Sequence, residues 1–145
     1  MTPDELAVKC ADVMWSTDRA SQGLGMTIEA MGEGRSELSM TVRDSMVNGH
    51  NICHGGFIFT LADSAFAFAC NSQNQIAVAA GGAIDFLRPA SLGDVLTAKA
   101  QVVHQGKRSG IYDMTVTNQE GKLMATMRGR SARTQGQLLD TDESN

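Results

Sequence analysis

Residues 45–84 carry a single formal charge, Asp63, and that carboxylate lies near the middle of an almost unbroken run of Phe, Ile, Leu and Ala over residues 57–70. An apolar run of this length is too long for an ordinary strand and lacks the polar face of a surface helix, so it reads as a helix buried on all sides. Such a helix has to be surrounded. Ala62, Ser64, Ala65, Ala67 and Ala69 are small enough to let the backbone of a sheet come close. At 145 residues and 42% hydrophobic content the chain can bury one core of this kind, which argues against disorder. No segment recurs with a period of 20 to 50 residues, so solenoids and propellers are excluded.

The wrapping strands follow the helix. Residues 76–87, 95–103, 111–117 and 123–132 are rich in strand formers and are separated by turn signals at Arg88-Pro89, Gln105-Gly106 and Glu120-Gly121. Ahead of the helix, residues 25–42 alternate around Gly32-Glu33-Gly34 and read as a β-hairpin. Residues 4–20 place Leu6, Val8, Cys10, Val13 and Met14 near helical spacing, with Thr2 or Pro3 to start the helix and Gly23 to end it. Six strands and a long buried helix make an α+β class. We expect one domain over residues 1–133 and a flexible acidic tail over 134–145.

Charge is unevenly placed. Residues 1–85 sum to −6, residues 86–133 to +5, with eight bases against three acids, and residues 134–145 to −3. The basic segment can hold an anion, but one Trp and one Tyr leave no aromatic interleaving for single-stranded nucleic acid, so no nucleic-acid partner is expected. Three scattered cysteines make no disulfide framework, and no spacing offers a metal three or four ligands; we expect no metal. Residues 1–30 lack a basic start followed by an apolar core, and the longest uncharged stretch is broken by residues 71–75, Asn, Ser, Gln, Asn and Gln. The expectation is a cytoplasmic protein with no membrane partner.

A carboxylate inside an apolar helix loses hydration, which raises its pKa, and groups so perturbed concentrate at active sites. Asp63 is such a candidate; alternatively it hydrogen-bonds Thr60 or a buried arginine such as Arg88. Just before the helix stands His54-Gly55-Gly56, preceded by Asn48-Gly49-His50-Asn51, so the first helical amides emerge from a segment with little side chain to block them. Free N–H groups at a helix start suit a carbonyl oxygen that gains charge, unless the pair is merely a glycine helix start capped by histidine. Cys53 beside His54 is a poor nucleophile–base pair, because sequence neighbours in extended chain point to opposite faces.

These residues resemble the hot-dog-fold acyl-coenzyme A thioesterases, and within them the phenylacetic acid degradation thioesterases. The resemblance is carried by the segment from Asn48 through His54-Gly55-Gly56 to Asp63 and Asn71. It continues through Ile84-Asp85-Phe86-Leu87-Arg88-Pro89, Gly93-Asp94, His104-Gln105-Gly106-Lys107 and Ile111-Tyr112-Asp113. It implies a hot-dog fold, a long helix wrapped by a curved antiparallel sheet, and hydrolysis of an acyl-CoA such as (hydroxy)phenylacetyl-CoA. It implies a homodimer with a shared active site, assembled into a homotetramer, and no cofactor beyond the CoA of the substrate. By the same resemblance Asp63 activates water or attacks directly, the Gly55 amide serves as oxyanion donor, and Asn48 and His54 help at the thioester. Some relatives offer a hydroxyl in the stretch matching residues 79–83, where this chain has only Ala and Gly; Ser64 is a candidate substitute. Arg88, Lys107 and Arg108 are candidate anchors for the CoA phosphates, or ordinary solvated charges. A hot-dog hydratase or dehydratase, using Asp63 with His54, and a non-catalytic acyl-thioester sensor are the alternatives.

Overall fold

The computed structural model describes residues 1–140. Helix α1 (Pro3–Trp15) starts at a capping box: Glu5 N–H donates to Thr2 Oγ1 at 3.1 Å, and Thr2 N–H donates to Glu5 Oε1 at 2.7 Å. The single helix expected over residues 4–20 is divided. Asp18 accepts hydrogen bonds from the Ser21 N–H and hydroxyl, which caps a separate short helix, α2 (Arg19–Gly23).

Strands β1 (Thr27–Gly32) and β2 (Arg35–Thr41) form the expected hairpin, closed at Gly34, whose φ of +71° lies in the left-handed region. Helix α3 (Gly55–Cys70) begins two residues before the apolar run, because the His54 ring caps it. Then come β3 (Ala77–Phe86), β4 (Val95–Gln105), β5 (Ser109–Thr117) and β6 (Leu123–Arg133). They form one six-stranded sheet in the order β1-β2-β4-β5-β6-β3, every pairing antiparallel. This is the expected α+β arrangement, and α3 rests against all six strands.

One face of α3, with Leu61, Ala65, Phe66 and Phe68, joins Leu38, Leu96, Tyr112 and Met114 of the sheet in a single buried core. The rings of Phe66 and Tyr112 lie 5.6 Å apart. Phe66 sits so close to β6 that a Cβ at Gly129 would stand 2.5 Å from its ring, which accounts for the glycine there. At the far end of α3 the buried Asn71 accepts from Ala77 N–H at 2.9 Å and donates to Ala77 O at 3.1 Å, joining the helix end to the first residue of β3.

The first residues of the expected tail are hydrogen-bonded to the segment between α3 and β3. Thr134 N–H donates to Ile76 O at 2.7 Å, and the Asn74 side chain holds the next turn: its Oδ1 accepts from Leu138 N–H and Leu139 N–H, while its Nδ2 donates to Leu139 O. The sequence shows this stretch as polar, but a buried amide at Asn74 requires partners and finds them there. Residues 141–145 lie outside the described part. Among the described residues, no helix is long and apolar enough to cross a membrane.

Candidate active site

The loop ahead of α3 is shaped by its own polar groups. Asn48 Oδ1 accepts from His50 N–H at 2.9 Å and Ile52 N–H at 3.3 Å, and Asn51 completes the turn at φ +63°. The side-chain oxygen of Asn48 is thereby engaged, and its NH2 is the end left for a ligand. Cys53 N–H donates to Ala90 O at 2.8 Å, which draws the segment after β3 against the loop. Between them opens a cleft of about 430 Å³, lined by Asn48, Ile52, Gly55, Phe86 and Arg88 among others. Three of the sequence candidates, Asn48, Gly55 and Arg88, therefore share one cleft.

His54 stands in extended conformation, and its Nδ1 accepts from Gly56 N–H at 2.9 Å. A neutral ring accepting at Nδ1 carries its proton on Nε2, so the exposed edge of His54 is a donor. Gly55 is the first helical residue, and its N–H has no acceptor among the described residues. The ring of Phe86 lies over it, close enough that a Cβ on Gly55 would meet Phe86 Cζ at 3.0 Å.

Asp63 is half-buried, and its carboxylate has neither a hydrogen bond nor an ion pair among the described residues. Thr60, one of the partners considered for it, instead donates its hydroxyl to Gly56 O at 2.8 Å. Arg88 is exposed in the cleft wall. Burial pushes the Asp63 carboxyl above the usual carboxylate range, and no donor among the described residues compensates. The residue belongs to a stripe that the sheet leaves uncovered: Gly56, Phe59, Thr60, Asp63 and Ala67 recur at three- and four-residue steps, and none is fully buried.

Gly55 and Asp63 are not together. Eight helical residues separate them, about 12 Å along the axis. Lys107 and Arg108 are also apart from Arg88, because they occupy the turn between β4 and β5. On β6, Phe86 pairs with Ala125 and Ser109 with Ala132, so the two basic positions flank points about 23 Å apart. Ser64 turns away as well: its hydroxyl lies 2.8 Å from that of Ser21, which donates to Asp18. Cys53 is buried, its thiol pushed up by that burial, while His54 is exposed, so the two make no catalytic pair. Sequence reasoning missed Ile52 and Phe86 in the cleft wall. The only available signal was Phe86 standing two residues before Arg88 at a strand end.

The protein-family model described as Thioesterase superfamily matches residues 50–125, from the loop before α3 into β6. The chain belongs to the thioesterase superfamily. Its fold is the hot-dog fold, with α3 as the central helix. Among thioesterase relatives, the acyl-coenzyme A thioesterase PaaI of Escherichia coli is 51% identical over 88% of this chain and 91% of its own. The structure of the E. coli PaaI protein from the phenylacetic acid degradation operon superimposes with a TM-score of 0.93, at 48% identity, covering 94% of this chain and 99% of that one. A hypothetical thioesterase with coenzyme A from Streptococcus pneumoniae aligns with a TM-score of 0.74 at 33% identity, over 77% of this chain and 90% of that one.

Proposed function

We propose that this protein hydrolyses acyl-CoA thioesters, with arylacetyl-CoA compounds such as (hydroxy)phenylacetyl-CoA as its substrates. The observation that carries the reading is the half-buried Asp63 carboxylate, unpaired among the described residues, on the uncovered stripe of a helix whose first N–H has no acceptor among them. Asp63 takes a proton from water as the water oxygen bonds to the thioester carbon. Its raised pKa makes it a stronger base than an exposed aspartate. The Gly55 N–H donates to the carbonyl oxygen as that oxygen becomes negative, helped by the positive end of the α3 dipole. Collapse of the tetrahedral intermediate breaks the C–S bond, the thiolate leaves, and the proton held by Asp63 passes to it. A thiolate needs no strong acid to leave, so a base and an oxyanion donor are sufficient. Asn48 NH2 and His54 Nε2–H are the further donors at the thioester.

The two halves of this site come from two chains. A second copy related by a two-fold axis, its α3 antiparallel to the first, brings Gly55 of one helix to Asp63 of the other. The ten-residue edge strand β3 supports this assembly, since its stretch from Val78 to Ala83 is exposed although apolar, and unpaired edges of that kind invite another strand. Antiparallel pairing there brings the partner's turn between β4 and β5 to the Arg88 end, so that Arg88, Lys107 and Arg108 gather around the CoA phosphates. Two such dimers make the tetramer. Three free cysteines, all buried, accord with a cytoplasmic location.

The aryl preference rests on the E. coli relative from the phenylacetic acid degradation operon. Thiol release from a panel of arylacetyl, aroyl, short-chain and fatty acyl-CoA compounds tests the reading. Faster release from arylacetyl-CoA is the expected result. No release from any member would remove the hydrolase, and hydration of an enoyl-CoA in its place would establish the hydratase.

A further inference from the structure

We propose that Phe59 contacts its own symmetry mate at the two-fold axis of the dimer and thereby sets the register that aligns the two shared active sites. The inference rests on the shared-site reading above and adds a residue to which no role has been given. In an isologous contact, if residue i of one chain meets residue j of the other, then j meets i, and a residue at the midpoint meets itself. Two antiparallel α3 helices with Gly55 opposite Asp63 have their midpoint at residue 59.

The midpoint is occupied by a residue suited to such a contact. Phe59 lies one turn after Gly55 and one turn before Asp63, on the stripe that the sheet leaves uncovered, and the large apolar ring is 37% exposed. Its stripe neighbours are small or polar: Gly56, Thr60, Asp63 and Ala67. Phe66, Phe68 and Tyr112, by contrast, are buried in the core. An aromatic pair on the axis offers apolar area and directional ring packing where the rest of the stripe offers little. A slip of one helical turn would displace each Gly55 amide by about 5.4 Å from the partner's Asp63, far more than an attack geometry tolerates. The Phe59 pair is thus a positioning device that acts through the two groups it aligns.

A self-contact has a signature that no other contact shares. Phe59→Glu places two like charges at the axis, and so does Phe59→Lys, whereas a heterodimer of the two variants places opposite charges there. Each variant alone is expected to shift the monomer–dimer midpoint in sedimentation to higher concentration and to reduce kcat at least about tenfold. Co-expression of the pair is expected to restore both. Two variants that each dimerise and turn over like the parent would overturn the proposal, as would a purified mixed dimer no more active than its components.

Should either charged variant fail to fold by circular dichroism, Phe59→Cys with a short bismaleimide reads the same contact. The native cysteines are buried, so a covalent dimer that forms in the variant but not in the parent, and that retains turnover, is the expected result. Absence of that dimer would overturn the proposal. A cross-linked dimer in a protein that releases thiol from no thioester would remove the hydrolase reading and leave the contact standing. Mixed-dimer complementation between Gly55 and Asp63 variants, without a Phe59 contact, would do the reverse.

Discussion

Asp63 has a carboxylate that burial disfavours and that no donor among the described residues relieves, and this ties the chemistry proposed for it to its effect on stability. Its folded pKa lies above the unfolded value, so the stability it contributes is full below the unfolded pKa of about 3.9 and is lost as pH rises through the folded value. At neutral pH the ionised group therefore works against folding. Asp63→Asn keeps the volume, removes the base and removes that charge. We expect turnover to fall at least about a hundredfold. Thermal melts at pH 7 should show the variant as stable as the parent or more so, with the difference vanishing towards pH 3. A melt below the parent's at pH 7, or turnover within about tenfold of it, would assign Asp63 a structural role instead. This residue was legible in sequence because a lone charge in an apolar stretch stands out. Phe59 and Phe86 were not, since an apolar side chain near a buried helix has the same pattern whether it faces core, cleft or partner.

At the scale of elements, the capping interactions decide where helices and strands begin and end. Strands were legible to within two residues, because alternation and Gly or Pro turns mark both their course and their limits. Helix starts were less so: glycine is a poor helix former, yet the His54 ring satisfies Gly56 N–H and draws the start of α3 back to Gly55, beside the cleft. The same mechanism at Asp18 divided the N-terminal helix. Strand order was not legible at all, since the placing of β2 beside β4, and of β3 at the opposite edge, depends on contacts far apart in sequence. The junction between α3 and β3 rests on one side chain, Asn71, which bonds both polar groups of the Ala77 backbone and donates to Ala67 O. Asn71→Ala leaves those buried groups unsatisfied, and we expect a loss of about 1–3 kcal/mol in urea unfolding. Amide exchange at Ala77 should quicken more than exchange in β5, which lies further from the junction. Equal changes in both strands would mean that Asn71 acts through general packing.

The groups proposed to carry the chemistry are divided across the molecule: the Gly55 amide, Asn48 and Arg88 at one cleft, Asp63 two turns along the helix, and Lys107 with Arg108 beyond the other end of β3. If the phosphates of CoA are held where two such chains meet, Arg88→Ala and Lys107→Ala should each weaken CoA binding. The parent's affinity should fall with added salt, as exposed cations are screened over about 8 Å at physiological ionic strength. Calorimetry with unchanged affinity in both variants would take these residues out of the site. Complementation tests the division itself. Gly55→Pro deletes the N–H proposed to bind the oxyanion, at the first helical position, where proline is tolerated, and His54 already has the extended conformation that a residue before proline requires. Its ring carbons will press on Phe86, so Gly55→Ala, which makes the same contact but keeps the N–H, serves as the control. Homodimers of Gly55→Pro and of Asp63→Asn should both be inactive. In the mixed dimer of a shared-site enzyme, one site carries both defects and the other carries neither, so roughly half the parent activity returns. If each chain held its own complete site, every site in the mixed dimer would keep one defect. An inactive mixed dimer, with Gly55→Ala folded and active, would then show that the water and the oxyanion are held within one chain.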